Sequence, residues 1–175
     1  MDQQPRKFLK EIRKRNFINM DYGADDATRD EKTVATFFNL IQRKLTELNI
    51  DIKEVKILEI GSGNNIFFDY AKKQGVNIIG VDARPRGKSP AVQALVERLP
   101  FADKSFDIVY SSQVFDSRGY NQDQTLMMRE ISRCLRQGGV YVALLENIDE
   151  PGLVEGFELI VPISRESWIK FYRKS

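Results

Sequence analysis

From Val34 onward, apolar residues return at three- and four-residue intervals: Val34, Phe37, Phe38, Ile41, Leu45 and Leu48. This spacing predicts a core-facing helix of about four turns. Thr28, with Glu31 three residues later, has the form of a capping box at its start, and Thr33 is an alternative start. The period then changes. Residues 55–60 form an apolar run of strand length, and residues 64–74 return to helical spacing through Ile66, Phe67, Tyr70 and Ala71. Gly75 follows where a left-handed cap belongs. Further strands are expected at 77–81, 106–111 and 139–145, a helix at 122–136, and a closing hairpin from 156–162 and 167–173. Strands alternating with helices predict an α/β fold with a doubly wound, mostly parallel sheet and an antiparallel hairpin at its C-terminal edge.

One stretch departs from the alternation. Between Asp82 and Leu99 only Ala83-Arg84-Pro85-Arg86-Gly87-Lys88-Ser89-Pro90-Ala91 precedes the apolar run 92–96. Two prolines and a glycine disfavour a full helix, so a loop or single turn is expected in place of the crossover helix. The alternative is a helix opened by Ser89-Pro90 and running to Arg98, with no third strand.

The chemistry concentrates where the first strand ends. Ile57-Leu58-Glu59-Ile60-Gly61-Ser62-Gly63 runs from strand into a Gly-x-Gly turn, and Asp82 closes the second strand nineteen residues after Gly63. Glycines let the backbone approach a ligand closely, and a strand-end carboxylate accepts hydrogen bonds from ribose hydroxyls. The pair describes a nucleotide-cradling βαβ unit. A nicotinamide-binding Gly-x-Gly-x-x-Gly would need glycine where Ile66 stands.

Downstream come Glu97-Arg98-Leu99-Pro100-Phe101, Phe106-Asp107, and Arg133-Cys134-Leu135-Arg136-Gln137-Gly138-Gly139. With these in order, residues 55–141 resemble the class I S-adenosylmethionine (SAM)-dependent methyltransferases, in their small-molecule branch. The resemblance implies a Rossmann-like sheet, SAM as cofactor, and methyl transfer to a small or medium-sized acceptor. It implies that Gly61, Ser62 and Gly63 pass against the cofactor, that Glu59 faces its amino group, and that Asp82 and Ala83 lie at the ribose. Val96 and Glu97 would flank adenine, and Ser111 and Ser112 would line the cavity beside the methyl group. Two positions differ from the family pattern. Asn65 stands where a third glycine is frequent, and Leu95 where an acid often meets the adenine amine. Asparagine tolerates left-handed backbone, so the turn is expected to survive.

Composition narrows the rest. The 175 residues, 42% hydrophobic, suit one globular domain over residues 31–175, preceded by an accessory segment at 1–30. That segment carries Arg6, Lys7, Lys10, Arg13, Lys14 and Arg15, and reads as a basic amphipathic helix with a lid-like loop. A solvated face packed on the domain is favoured over an arm that grips RNA. Net charge is only +2, so nothing global requires a nucleic acid. No histidine is present, which removes histidine bases and ligands, and with one cysteine no metal site is expected. Lone Cys134, placed on an apolar helix face, reads as a core thiol in a reducing compartment. No apolar run reaches membrane-spanning length, so a cytoplasmic protein without a membrane partner is expected.

No general base stands out. Asp116 and Tyr120, after the fourth strand with Gln113 and Arg118, are weak candidates to deprotonate or orient the acceptor. The short polar link at 146–155 leaves the acceptor pocket to be completed by the N-terminal segment or by a second copy of the chain. The competing reading is a degenerate module of the same fold that binds SAM or a partner without turnover; an RNA methyltransferase is less favoured.

Overall fold

A computed structural model describes residues 31–87, 89–115, 123–144, 146, 148, 155–160 and 169–175. Helix α1 (Glu31–Glu47) opens this region and buries Val34, Phe38, Ile41 and Leu45, one stripe at alternating four- and three-residue steps. The elements β1 (Lys56–Ile60), α2 (Ile66–Lys73) and β2 (Asn77–Asp82) follow at the expected places. Gly75 (φ 81°) ends α2 in a Schellman turn, with Val76 N donating to Ala71 O at 3.1 Å and Gly75 N to Lys72 O at 3.0 Å.

After β2 no helix forms among the described residues up to β3 (Val92–Gln93), a strand of two residues. The alternative helix running to Arg98 is not adopted. Only Val96–Arg98 winds, as a single 3₁₀ turn. Then come β4 (Phe106–Ser112), α3 (Gln124–Cys134), β5 (Leu135–Leu144), β6 (Phe157–Leu159) and β7 (Ile169–Lys174). The boundary between α3 and β5 differs from expectation: the helix stops at Cys134 and the strand begins at once. Leu135 pairs with Phe106, and the ladder then shifts register between Phe106 and Ile108. A Cβ on Gly139 would lie 2.8 Å from Arg136 O and 2.9 Å from Asp107 O, so the backbone crossing there admits only glycine.

The seven strands lie in the order β3-β2-β1-β4-β5-β7-β6. All pairs from β3 to β5 are parallel, and β7 runs antiparallel to both β5 and β6. Successive residues of each strand point to opposite faces. Thus Ile57, Ile78, Ile108 and Val142 pack with α1 and α2, while Leu58, Ile60, Val109 and Tyr141 pack with α3. The fold is doubly wound, as the residue pattern predicts.

The Arg133 guanidinium fixes the Leu-Pro-Phe segment. It donates to Leu99 O (3.0 Å), Phe101 O (2.7 Å), Asp103 (2.7 Å) and Glu130 (2.7 Å), while Glu130 accepts from Leu99 N (2.8 Å). Asp107 likewise serves the frame, accepting from Lys56 N at 2.8 Å and from Arg136 Nε at 2.5 Å. Cys134 is buried and free, and burial pushes its thiol up to about 11, so it is a core residue. The basic stretch 1–30, Asp116, Arg118 and Tyr120 lie outside the described residues. No described helix is long and apolar enough to cross a membrane.

Candidate functional site

Strands β1, β2 and β4 are parallel neighbours, so their C-terminal ends open on one edge of the sheet. There the chain leaves β1 through the glycine turn. Gly61 N and Ser62 N both donate to Val81 O, at 2.8 and 3.1 Å, which ties the turn to the end of β2. Gly61 (φ 71°) and Gly63 (φ 50°) lie in left-handed backbone. A Cβ on Gly61 would meet Val114 Cγ2 at 2.3 Å, whereas one on Gly63 would find only Gly61 O, at 3.9 Å. The first glycine is required by packing. The second leaves open space for a ligand against the backbone.

Asp82 ends β2 as expected and holds the turn itself. Its Oδ2 accepts from Gly63 N at 2.9 Å and its Oδ1 from Arg84 N at 2.6 Å. A carboxylate oxygen has two acceptor positions, so each oxygen retains capacity for a hydroxyl donor. Ala83 is half-buried, and its carbonyl accepts from Gln93 Nε2 at 3.0 Å.

Glu59 is the most unusual group. It is 5% exposed, and its Oε2 has no hydrogen-bond partner among the described residues. Burial, reinforced by the charges of Asp82 and Asp69, pushes its carboxyl well above the usual range near 4.5. The Ser62 and Ser112 hydroxyls are likewise buried without a partner. Glu59 pairs in register with Tyr110, so Ser112, two residues on, shares its face of the sheet. Ser111 does not. The alternation of β4 turns its hydroxyl to the opposite face, where it bonds Tyr141 OH at 2.8 Å.

Val96 is buried at the start of the 3₁₀ turn, with Leu95 buried before it. Glu97 Oε1 receives a long 3.4 Å contact from Asp123 N, at the N-cap of α3. Beyond β4, Gln113 adopts φ 56° and is exposed. Glu146, which sequence reasoning passed over, is 8% exposed and accepts from Val114 N (2.9 Å) and Phe115 N (2.8 Å). It pins the post-β4 loop whose Val114 abuts Gly61. Its signal was an acid just past the end of a buried strand, the same signal that marks Asp82.

These groups fit an adenosyl sulfonium bearing an amino-acid tail. The uncompensated Glu59 carboxyl suits an ammonium, Asp82 a ribose diol, the open backbone at Gly63 a close approach, and Leu95 with Val96 an apolar ring. Among the described residues no group of three or more histidine, cysteine or acidic side chains could hold a metal ion.

The Glu59 environment predicts a pH effect. Its folded-state pKa is raised, so its contribution to stability is full below about pH 4.5 and is lost as pH rises through the folded value. Glu59→Gln, which cannot ionise, should therefore gain on the ligand-free wild type with rising pH. The gap between the two proteins should widen from pH 5 to pH 8. Thermal unfolding of both proteins from pH 5 to pH 8 checks this, and a constant gap would contradict the assignment.

Residues 58–143 match the methyltransferase domain family. The chain is 28% identical over 95 residues to an uncharacterised methyltransferase (sll0829) of Synechocystis sp., covering 49% of this chain and 44% of that protein. It is 26% identical over 106 residues to the malonyl-[acyl-carrier protein] O-methyltransferase of Hamiltonella defensa, covering 55% and 40%. The matches thus span less than half the length of these relatives. Among solved structures it is similar to the 1,6-didemethyltoxoflavin-N1-methyltransferase of Burkholderia thailandensis, which holds 1,6-didemethyltoxoflavin and S-adenosylhomocysteine. The TM-score there is 0.57 at 16% identity, over 97% of this chain and 86% of that one, a likeness of fold.

Proposed function

We propose that this chain, whose residues 58–143 match the methyltransferase domain family, is a class I SAM-dependent methyltransferase that transfers a methyl group from SAM to a small or medium-sized acceptor. The observation that carries this reading is the convergence of three features at one sheet edge. They are the open turn at Gly63, the Asp82 carboxylate holding that turn, and the buried Glu59 carboxyl with an unpartnered oxygen.

When bound, SAM supplies a methyl group activated by its sulfonium, so the protein's part is to bind, orient and exclude water. Asp82 accepts from the ribose hydroxyls while keeping Gly63 N. As a carboxylate Glu59 opposes the ammonium, and the cation offsets the unfavourable burial of its charge. Val114, held by Glu146, walls the turn on the β4 side. Ser112 shares the Glu59 face, and its free hydroxyl serves the amino-acid tail or the acceptor. Asp116 and Tyr120 remain the proposed groups to orient the acceptor. Residues 31–175 constitute the transferring domain in this reading, with 1–30 as an accessory lid or arm, and a cytoplasmic setting.

Incubation with methyl-labelled SAM and fractionated small-molecule extract tests the reading. Label should pass to a small molecule, and Asp82→Ala should abolish transfer. Labelled RNA would instead favour an RNA acceptor. Retention of SAM without any transfer would favour the degenerate module.

A further inference from the structure

Asn65 lies two residues beyond the second glycine of the turn, and its side chain is not idle. It is 0% exposed, although it follows directly on the cofactor turn. Its backbone is left-handed (φ 62°, ψ 21°), so a glycine could replace it without strain. The carboxamide turns into the segment that takes the place of the crossover helix. Nδ2 donates to Ser89 O at 2.8 Å. Gly87 lies flat against the same group: a Cβ there would sit 2.4 Å from Nδ2, 2.5 Å from Cγ and 2.6 Å from Cβ of Asn65. Gly87 is therefore a requirement imposed by Asn65.

Two further bonds fasten this segment. Ser89 Oγ bonds Asp69, one helical turn beyond Asn65, and Arg86 N donates to Gly63 O at 2.9 Å. With Asp82 gripping Gly63 N, both polar groups of the second turn glycine are held. Among the described residues no helix forms in this crossover, and Asn65 ties the connection to the turn instead.

We infer that Asn65 is a positioning residue whose carboxamide latches Gly87 and Ser89 onto the glycine turn and thereby sets affinity for the adenosyl cofactor. A ligand that meets a turn already held avoids the entropic cost of ordering it. The binding half of this inference rests on the function proposed above; the latch itself does not.

The test uses the full chain with Asn65→Gly, Gly87→Ala and the double variant. Trypsin cleavage at Arg86–Gly87, followed by mass spectrometry without cofactor, reads the latch alone. Cleavage should accelerate in both single variants. Titration with S-adenosylhomocysteine reads affinity, expected to fall about five- to tenfold for each single variant, the scale of one buried hydrogen bond. Because the collision of Gly87→Ala needs the Asn65 side chain, the double variant should match Asn65→Gly instead of summing the two losses. In the label-transfer assay, KM for SAM should rise by the same factor with kcat within about twofold, a split that general destabilisation does not produce. Wild-type cleavage and affinity in Asn65→Gly, or additive losses in the double variant, would overturn the latch. Failure of the wild type to bind S-adenosylhomocysteine would instead overturn the proposed function and the binding half with it, while the protease result still judges the latch.

Discussion

Gly61→Ala should be strongly destabilising. Two costs add. An alanine at φ 71° bears the left-handed penalty of about 1–2 kcal/mol, and its Cβ would sit 2.3 Å from Val114 Cγ2. Overpacking of that kind costs about 1–3 kcal/mol when the neighbour is fixed. Val114 is fixed, since Glu146 holds its backbone N–H and that of Phe115. The expected loss is about 3 kcal/mol in denaturant unfolding, together with loss of S-adenosylhomocysteine binding. Gly63→Ala provides the contrast. Its Cβ would meet nothing closer than 3.9 Å, so only the conformational penalty applies to folding, yet the methyl projects into the proposed ligand space. It should lose only about 1–2 kcal/mol of stability, less than Gly61→Ala, and bind far more weakly. Truncation of Val114 in the Gly61→Ala background should restore part of the stability; no recovery would show that the clash is not the cause.

Asp82→Ala carries the largest expected effect on binding. The carboxylate is assigned two ribose hydroxyls, and hydrogen bonds to a charged group contribute about 1.5–3 kcal/mol each. It also satisfies Gly63 N and Arg84 N, so its removal loosens the turn on which the ligand rests. Affinity for S-adenosylhomocysteine should fall by at least about a hundredfold. Asp82→Asn retains one acceptor oxygen and should lie between alanine and wild type. An alanine variant within fivefold of wild type in calorimetric titration would remove Asp82 from the ribose site.

The parts of this arrangement that follow from local pattern were readable in the chain. A buried run, a Gly-x-Gly turn, a helix closed by Gly75, and a second run ending in Asp82 each depend on neighbours within a few residues. Pro85, Gly87 and Pro90 also announced that no helix would follow β2. The boundary near Leu135 was not readable, because a leucine there satisfies both the helical stripe through Ile131 and the inward phase of β5. Ser111 and Ser112 are adjacent hydroxyls, and only the phase of β4 decides which one faces Glu59. Tertiary partners set the remaining features. Asn65 was marked by its tolerance of left-handed backbone, but its bond to Ser89 joins residues 24 apart. Glu146 reaches back 31 and 32 residues to the loop it pins. Neither distance leaves a periodic trace.

A crystal structure of the chain soaked with S-adenosylhomocysteine tests the central claim most directly. The account predicts the ribose diol on the Asp82 carboxylate, the amino group facing Glu59, and the ligand's backbone-facing side over Gly63. Density for the compound elsewhere on the molecule, or a cleft beside Asp82 left empty at millimolar ligand, would contradict it.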